Sequence, residues 1–261
     1  DFNFAQLAEL SEYHPDLYWF DGDWEQTAQQ WKAKKITDFV LGKTPTTIIN
    51  SLLQGYGDYA TPEQVVPISR PQAEYRVLCL TMNNSWGYQP NDKEYKTANQ
   101  IIRIFVDCLS MGRNLLLDIG PKPDGSIAQE QFDILAELGS WTSKHESAIY
   151  GTTAGIPHQH FNGYTTLSKD KNILYLYVDN SPTGPLLIKG LKNKVSRTWV
   201  VGNGTQLNYE VKGKMYWSEV PGLLYIDLPQ SVQDKHVTVI AVLLDGPIEF
   251  YTDEVKPIES N

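Results

Sequence analysis

The sequence predicts an α/β region followed by an all-β region: a (β/α) barrel-type layer through about Tyr150, then an antiparallel β-sandwich. Three observations predict this. Up to Tyr150, short apolar runs of strand length alternate with amphipathic stretches of helix length, and such alternation implies parallel strands joined by crossover helices. Beyond Gly151-Thr152-Thr153-Ala154-Gly155-Ile156-Pro157, where small and helix-breaking residues cluster, the pattern changes to short strands. The third observation is an aromatic strand that breaks into an acidic turn at Asp21, the way (β/α) barrels present a catalytic group at the C-terminal end of a strand.

Taken in order, the pattern predicts a helix over 1–12, a strand ending at Asp21, a helix over 24–41 and a strand over 46–50. A strand over 75–82, an amphipathic helix over 96–111, a strand over 115–119 and a helix over 127–145 follow, the last with Ser126 and Gln129 as its capping box. Residues 1–151 form the first predicted domain and residues 156–261 the second. Its strands are expected over 173–178, 186–188, 198–201, 223–228 and 236–244, separated by turn signals such as Gly202-Asn203-Gly204 and Asp245-Gly246-Pro247. The strand over 236–244 is apolar at successive positions, so it should be buried on both faces and central.

The run Pro15-Asp16-Leu17-Tyr18-Trp19-Phe20-Asp21-Gly22-Asp23-Trp24-Glu25 makes Asp21 the first candidate for a nucleophile. The alternative is an ordinary Asp-Gly turn with Trp19 as core packing. Further along stand Gly57-Asp58-Tyr59-Ala60-Thr61-Pro62-Glu63-Gln64, Met82-Asn83-Asn84-Ser85-Trp86-Gly87-Tyr88, Gly112-Arg113-Asn114-Leu115-Leu116-Leu117-Asp118 and Glu146-Ser147-Ala148-Ile149-Tyr150-Gly151.

In order and spacing, this set strongly resembles the α-L-fucosidases of glycoside hydrolase family twenty-nine, over roughly residues 10–155. The resemblance implies that the first region is the back half of a TIM-like barrel and the second a β-sandwich. It implies Asp21 as nucleophile, Glu63 as general acid/base, and Trp19 and Trp86 against the sugar. A retaining glycosidase needs one ionised carboxylate to attack the anomeric carbon and a protonated carboxyl, roughly 5 Å away, to donate to the leaving oxygen. Fucose carries a methyl group and a C–H face that suit flat aromatic walls; the alternative for both tryptophans is core packing. The expected substrate is a fucosylated oligosaccharide or glycoconjugate, hydrolysed by double displacement, and the alternative is a catalytically inactive glycan-binding relative. The acid/base loop is similar to that of members favouring branched α-1,3 and α-1,4 linkages.

Departures from the family pattern shape further expectations. Leu52 stands where many members carry an arginine, Tyr75-Arg76 stands where many carry Trp-Glu, and Asp118 stands where the family usually has Asn, which makes Asp118 a rival second carboxylate. The family's front segment, with its His-His-Asp-Gly stretch, has no counterpart among His14, His145, His158, His160 and His236. The chain is therefore expected to be the C-terminal part of a fucosidase: a split or clipped piece, a truncated product or an inactive relative. A half-barrel would expose strand edges and apolar surface, so a partner is expected, either the N-terminal barrel segment or a second copy.

Composition excludes some classes. A net charge of −9 argues against nucleic acid, whose binders need a basic face. No run of eighteen apolar residues exists, so no membrane span is expected; the chain is expected to be soluble, and secreted or periplasmic with any export signal removed. Seven Trp and fifteen Tyr suit a saccharide site as well as sheet packing. Trp199, Tyr209, Tyr216 and Trp217 are alternatives for an independent sugar groove. His158 and His160 have metal-ligand spacing on a strand without a partner to complete a set, so no metal is expected. No phosphate-binding loop follows a strand, and no cofactor is expected. Cys79 and Cys108 read most simply as buried thiols, a disulfide between them being the alternative. Sequons occur at Asn83 and Asn203, and a glycan on Asn83 would crowd the proposed site.

Overall fold

The computed structural model describes residues 2–66, 76–179 and 181–252, which divide into two compact units. The first runs to Leu80 and takes in Arg113–Asp118; the second holds Thr81–Gly112 and the residues from Ile119 on, so that the boundary falls at the last residue of the strand Val77–Thr81.

The first unit contains α1 (Phe2–Ser11), β1 (Leu17–Tyr18), α2 (Ala28–Trp31), α3 (Ala33–Lys43), β2 (Ile48–Ile49), β3 (Val77–Thr81) and β4 (Asn114–Asp118). β1 and β2 pair in parallel, Leu17 opposite Ile48. Parallel bridges then carry the sheet sideways: Asn50 to Tyr59, Ala60 to Arg76 and Glu63 to Cys79. The segment 59–63 thus lies between β2 and β3, and β4 neighbours β3. Alternation along β1 divides its residues by face. Tyr18 joins Leu7, Ile36, Val40 and Ile49 in an apolar cluster against the helices, whereas Leu17 and Trp19 remain exposed.

The helix expected over 24–41 is broken. A single 3-10 turn at Asp23–Glu25 leads to α2, whose capping box is Thr27 with Gln30. Lys32 then adopts a left-handed conformation, φ 55°, and its N–H closes the end of α2 before α3 begins. Trp31 Nε1 donates to the Asp23 carbonyl at 3.1 Å, tying α2 back to the acidic turn.

The second unit contains α4 (Ala98–Ser110), α5 (Gln129–Lys144), α6 (Glu146–Ile149), β5 (Thr152–Ala154), β6 (Tyr164–Ser168), β7 (Ile173–Val178), β8 (Leu186–Ile188), β9 (Val195–Val200), β10 (Tyr209–Lys212), β11 (Leu223–Ile226) and β12 (Thr238–Leu244). An antiparallel five-stranded sheet has the order β5-β6-β7-β12-β9, and a three-stranded one the order β10-β11-β8. Leu174, Leu176, Ile240 and Val242 share one cluster with Ile188, Leu224 and Ile226 of the smaller sheet. The alternate residues Tyr175, Tyr177, Val239 and Ala241 pack with Ile102, Val106 and Trp141 of α4 and α5. β12 is therefore covered on both faces and paired on both edges, as its unbroken apolar run requires.

Two expectations fail here for local reasons. The Ser126 capping box does not form: Ser126 instead turns its N–H and hydroxyl onto Asp124 Oδ1, and α5 starts behind Ala128. The segment read as a connection, 151–157, contains β5, an edge strand of the larger sheet. Its residues are too small and polar to show an apolar period. Both cysteines are buried, and no disulfide joins them. Among the described residues no helix is long and apolar enough to cross a membrane.

Candidate active site

Asp21 follows β1 directly. The strand ladder between β1 and β2 ends with the Asn50 N–H on the Tyr18 carbonyl at 3.2 Å. One residue further on, the Asn50 side chain takes over: Oδ1 accepts from the Phe20 N–H and Nδ2 donates to the Phe20 carbonyl, both at 2.8 Å. The chain then turns at Gly22, φ 76°, a conformation open to glycine. Asp23 is held on the far side, its Oδ2 accepting from the Gln54 N–H at 2.7 Å and its carbonyl from Gln54 Nε2. Asp21 stands exposed between these two anchors. With Phe20, Asp23, Leu52 and Leu53 it borders a cavity of about 710 Å³ beside α1.

Trp19, 37% exposed, stands on the same unit with its ring 6.1 Å from that of Tyr59. Burial pushes the Tyr59 hydroxyl up to about 12. Glu63 is exposed on the segment beside β3, where the Cys79 N–H donates to the Pro62 carbonyl and the Gln64 N–H to the Cys79 carbonyl. Burial, and then the charge of Glu63, raise the Cys79 thiol to about 11. The structure thus brings Asp21, Trp19 and Glu63 together in one unit, with β2 between the two acids. Asp118, the rival carboxylate, ends β4 with Oδ2 buried and without a hydrogen-bond partner among the described residues, and burial raises its pKa from the ordinary value. Arg76 is described, while Tyr75, the other half of that departure, lies outside the described residues.

Trp86, 44% exposed, belongs to the second unit, in the loop between β3 and α4. Asp92 organises that loop. Its Oδ2 accepts from the Ser85 hydroxyl at 2.7 Å and the Asn84 N–H at 3.0 Å, and its Oδ1 from the Glu94 N–H at 3.3 Å. The Ser85 hydrogen bond leads the effects that hold the Asp92 carboxyl below its ordinary value. Lys96 Nζ donates to the carbonyls of Thr81 and Asn83. A Cβ on Gly120 would stand 2.7 Å from the Tyr88 nitrogen, so that glycine lets the loop's Gly87-Tyr88 backbone seat closely. Asn83 is buried, so the first sequon has no room for a glycan in this fold, whereas Asn203 is exposed.

The other candidates are placed as follows. His160 Nδ1 donates to the Lys189 carbonyl and its ring stacks on Phe250. Trp199 packs in the helix-side cluster beneath Arg197, and Tyr216 and Trp217 are exposed and touch edge to face. Sequence reasoning missed Asn50, Gln54, Asp92 and Lys96, whose parts depend on pairings 30, 31, 7 and 15 residues apart. The one available signal for Asn50 was a buried-type amide placed immediately after an apolar strand.

Residues 1–147 match the family model for Alpha-L-fucosidase. An alpha-L-fucosidase of Dictyostelium discoideum is 28% identical over 196 residues, covering 70% of this chain and 42% of that protein. The plasma alpha-L-fucosidase of Homo sapiens is 27% identical over 246 residues, covering 86% and 52%. Among solved structures, alpha-L-fucosidase isoenzyme 1 from Paenibacillus thiaminolyticus is similar with a TM-score of 0.81 and 28% identity, covering 92% of this chain and 61% of that one. An alpha-L-fucosidase from Bacteroides thetaiotaomicron, trapped as a covalent intermediate with 2-fluoro-fucosyl fluoride, shares the fold at a TM-score of 0.78, 22% identity and coverages of 94% and 60%. The chain spans about half the length of these curated relatives. Because the family model takes in more than half of its residues, the chain belongs to the alpha-L-fucosidase family.

Proposed function

We propose that the chain is the C-terminal part of a retaining α-L-fucosidase that releases terminal α-linked L-fucose from oligosaccharides or glycoconjugates. Residues 1–151 are read as the back half of a (β/α) barrel and residues 156–261 as a β-sandwich, in keeping with the in-order parallel pairing from β1 to β3 and the two antiparallel sheets that share a core. The observation that carries the reading is the placement of Asp21: an exposed carboxylate at the end of a parallel strand, within Trp19-Phe20-Asp21-Gly22, its backbone anchored on both sides.

In this reading an Asp21 oxygen attacks the anomeric carbon as the glycosidic C–O bond breaks, and Glu63 gives its proton to the departing oxygen. Glu63 then takes a proton from water, which attacks the same carbon and frees Asp21. Trp19 and Trp86 are assigned to the sugar. Two carboxylates and water suffice for this chemistry, so it calls for no cofactor. The proposed partner is the N-terminal barrel segment or a second copy, and the proposed setting is secreted or periplasmic, in line with relatives named plasma and tissue alpha-L-fucosidases.

Leu52, beside Asp21 in the cavity where many members carry arginine, favours one second reading: a glycan-binding relative without turnover. Hydrolysis of an aryl α-L-fucoside by the full chain and by Asp21→Ala separates the two. Turnover that falls by about a thousandfold or more in the variant supports the nucleophile. Fucose binding with no turnover in either protein supports the second reading.

A further inference from the structure

We infer that Asn50 is the positioning residue for Asp21, its side-chain amide serving as the last rung of the sheet. The inference rests on the reading of Asp21 as nucleophile. β2 ends at Ile49, so among the described residues no main-chain partner continues the ladder to Phe20. The Asn50 amide supplies one, accepting from the Phe20 N–H and donating to the Phe20 carbonyl at 2.8 Å each. The two bonds fix the orientation of the peptide units on both sides of Phe20, and the second of these units is the one that leads into Asp21. Asn50 is fully buried, and its own backbone is locked by the N–H bond to Tyr18 and by the parallel bridge to Tyr59. An amide held this way has one rotamer that satisfies both of its ends. A carboxylate keeps the acceptor and loses the donor; an aliphatic residue loses both.

The experiment uses the full chain with 2-fluoro-fucosyl fluoride as the probe, following covalent labelling by mass spectrometry and locating the label by peptide mapping. Backbone amide exchange at Phe20 is followed in parallel, with Ile240 on β12 as the control for global opening. Asn50→Asp and Asn50→Ala are compared with the parent. The expected result is label on the Asp21 peptide, with the maximal labelling rate lower by about 10- to 100-fold in both variants and the half-saturating probe concentration unchanged. Exchange at Phe20 should rise at least about tenfold in Asn50→Ala while Ile240 does not change. Labelling of both variants at the parent's rate overturns the inference. If the parent itself takes no label, the nucleophile reading fails in this chain, and Phe20 exchange alone decides the rung: acceleration confined to Phe20 supports it, and parent-like exchange overturns it.

Discussion

Gly57 lies so close to Asn50 that a Cβ built on it would stand 2.0 Å from the Asn50 carbonyl oxygen and 2.4 Å from its carbon. The contact is backbone against backbone, between the end of β2 and the loop that leads to Glu63, and neither side can yield as a flexible side chain would. Gly57→Ala should therefore destabilise the fold by about 3 kcal/mol, the upper end of overpacking costs. A lower urea midpoint with an unchanged slope is the expected observation. An unchanged midpoint would show that this approach is not fixed in solution.

Glu63 is assigned as the acid that protonates the leaving group and as the base that activates water. Glu63→Gln should slow hydrolysis of a fucoside with a poor leaving group by about 10²- to 10⁴-fold, and of one with an acidic phenol by much less. Azide should restore turnover and yield a fucosyl azide of the substrate's anomeric configuration. If the variant loses nothing, Asp118 becomes the acid to test next, since burial already favours its protonated form.

The Asp92 carboxylate gathers Ser85, Asn84 and Glu94 around the loop that carries Trp86. Asp92→Ala should free that loop, raising KM about tenfold with little change in kcat, as expected when only ground-state binding is lost. Acrylamide quenching of Trp86, read by difference against Trp86→Phe, should increase in the same variant. Because the carboxyl is held below its ordinary value, the clamp should persist at neutral pH and weaken only as acid protonates it, at a lower pH than an unperturbed Asp would need.

His145 caps the junction of α5 and α6 with its ring buried against Trp141. Its Nδ1 donates to the Trp141 carbonyl at 2.8 Å, and Nε2 has no hydrogen-bond partner among the described residues, with Asp234 at 3.9 Å and the Lys144 ammonium bound to that same carboxylate. Burial lowers the pKa of His145 below 6.5. The unfolded chain then binds the extra proton first, so stability is complete above 6.5 and falls as pH drops through that value toward the folded pKa. Urea titrations across this range should show the loss, and His145→Gln should flatten it. An equal slope in the variant would assign the acid sensitivity to other groups.

How much of this the sequence carried depends on the range of the interaction concerned. β12 and β7 were legible because burial on both faces leaves an unbroken apolar run, and Asp21 because an aromatic strand ends there in an Asp-Gly turn. β5, β6 and β10 were not: Thr152–Ala154 are small or hydroxylated, Tyr164–Ser168 are hydroxylated at every position but Leu167, and every residue of Tyr209–Lys212 is exposed. The break at Lys32 was hidden because a left-handed lysine is set by its surroundings rather than by its own preference. At the site, the acids and tryptophans sit in recognisable motifs, but the groups that hold them act across distances that no local pattern records. Asn50 has no readable role until Phe20 is placed beside it.

β9 joins the five-stranded sheet only through β12, which the chain supplies last among the described strands. During synthesis, at about 5–20 residues per second, Val195–Val200 must therefore wait several seconds on the ribosome for its neighbour in that sheet, paired meanwhile only with the segment just after it through Trp199 and Gln206. β7 waits longer with one edge open. The larger sheet cannot zip up progressively behind the emerging chain; it closes in a late step when Thr238–Leu244 slots between β7 and β9. A nascent chain stalled before that strand would present two sticky edges to its neighbours, so yield in the cell should depend on chaperone capture during that interval more than on the strength of the finished fold.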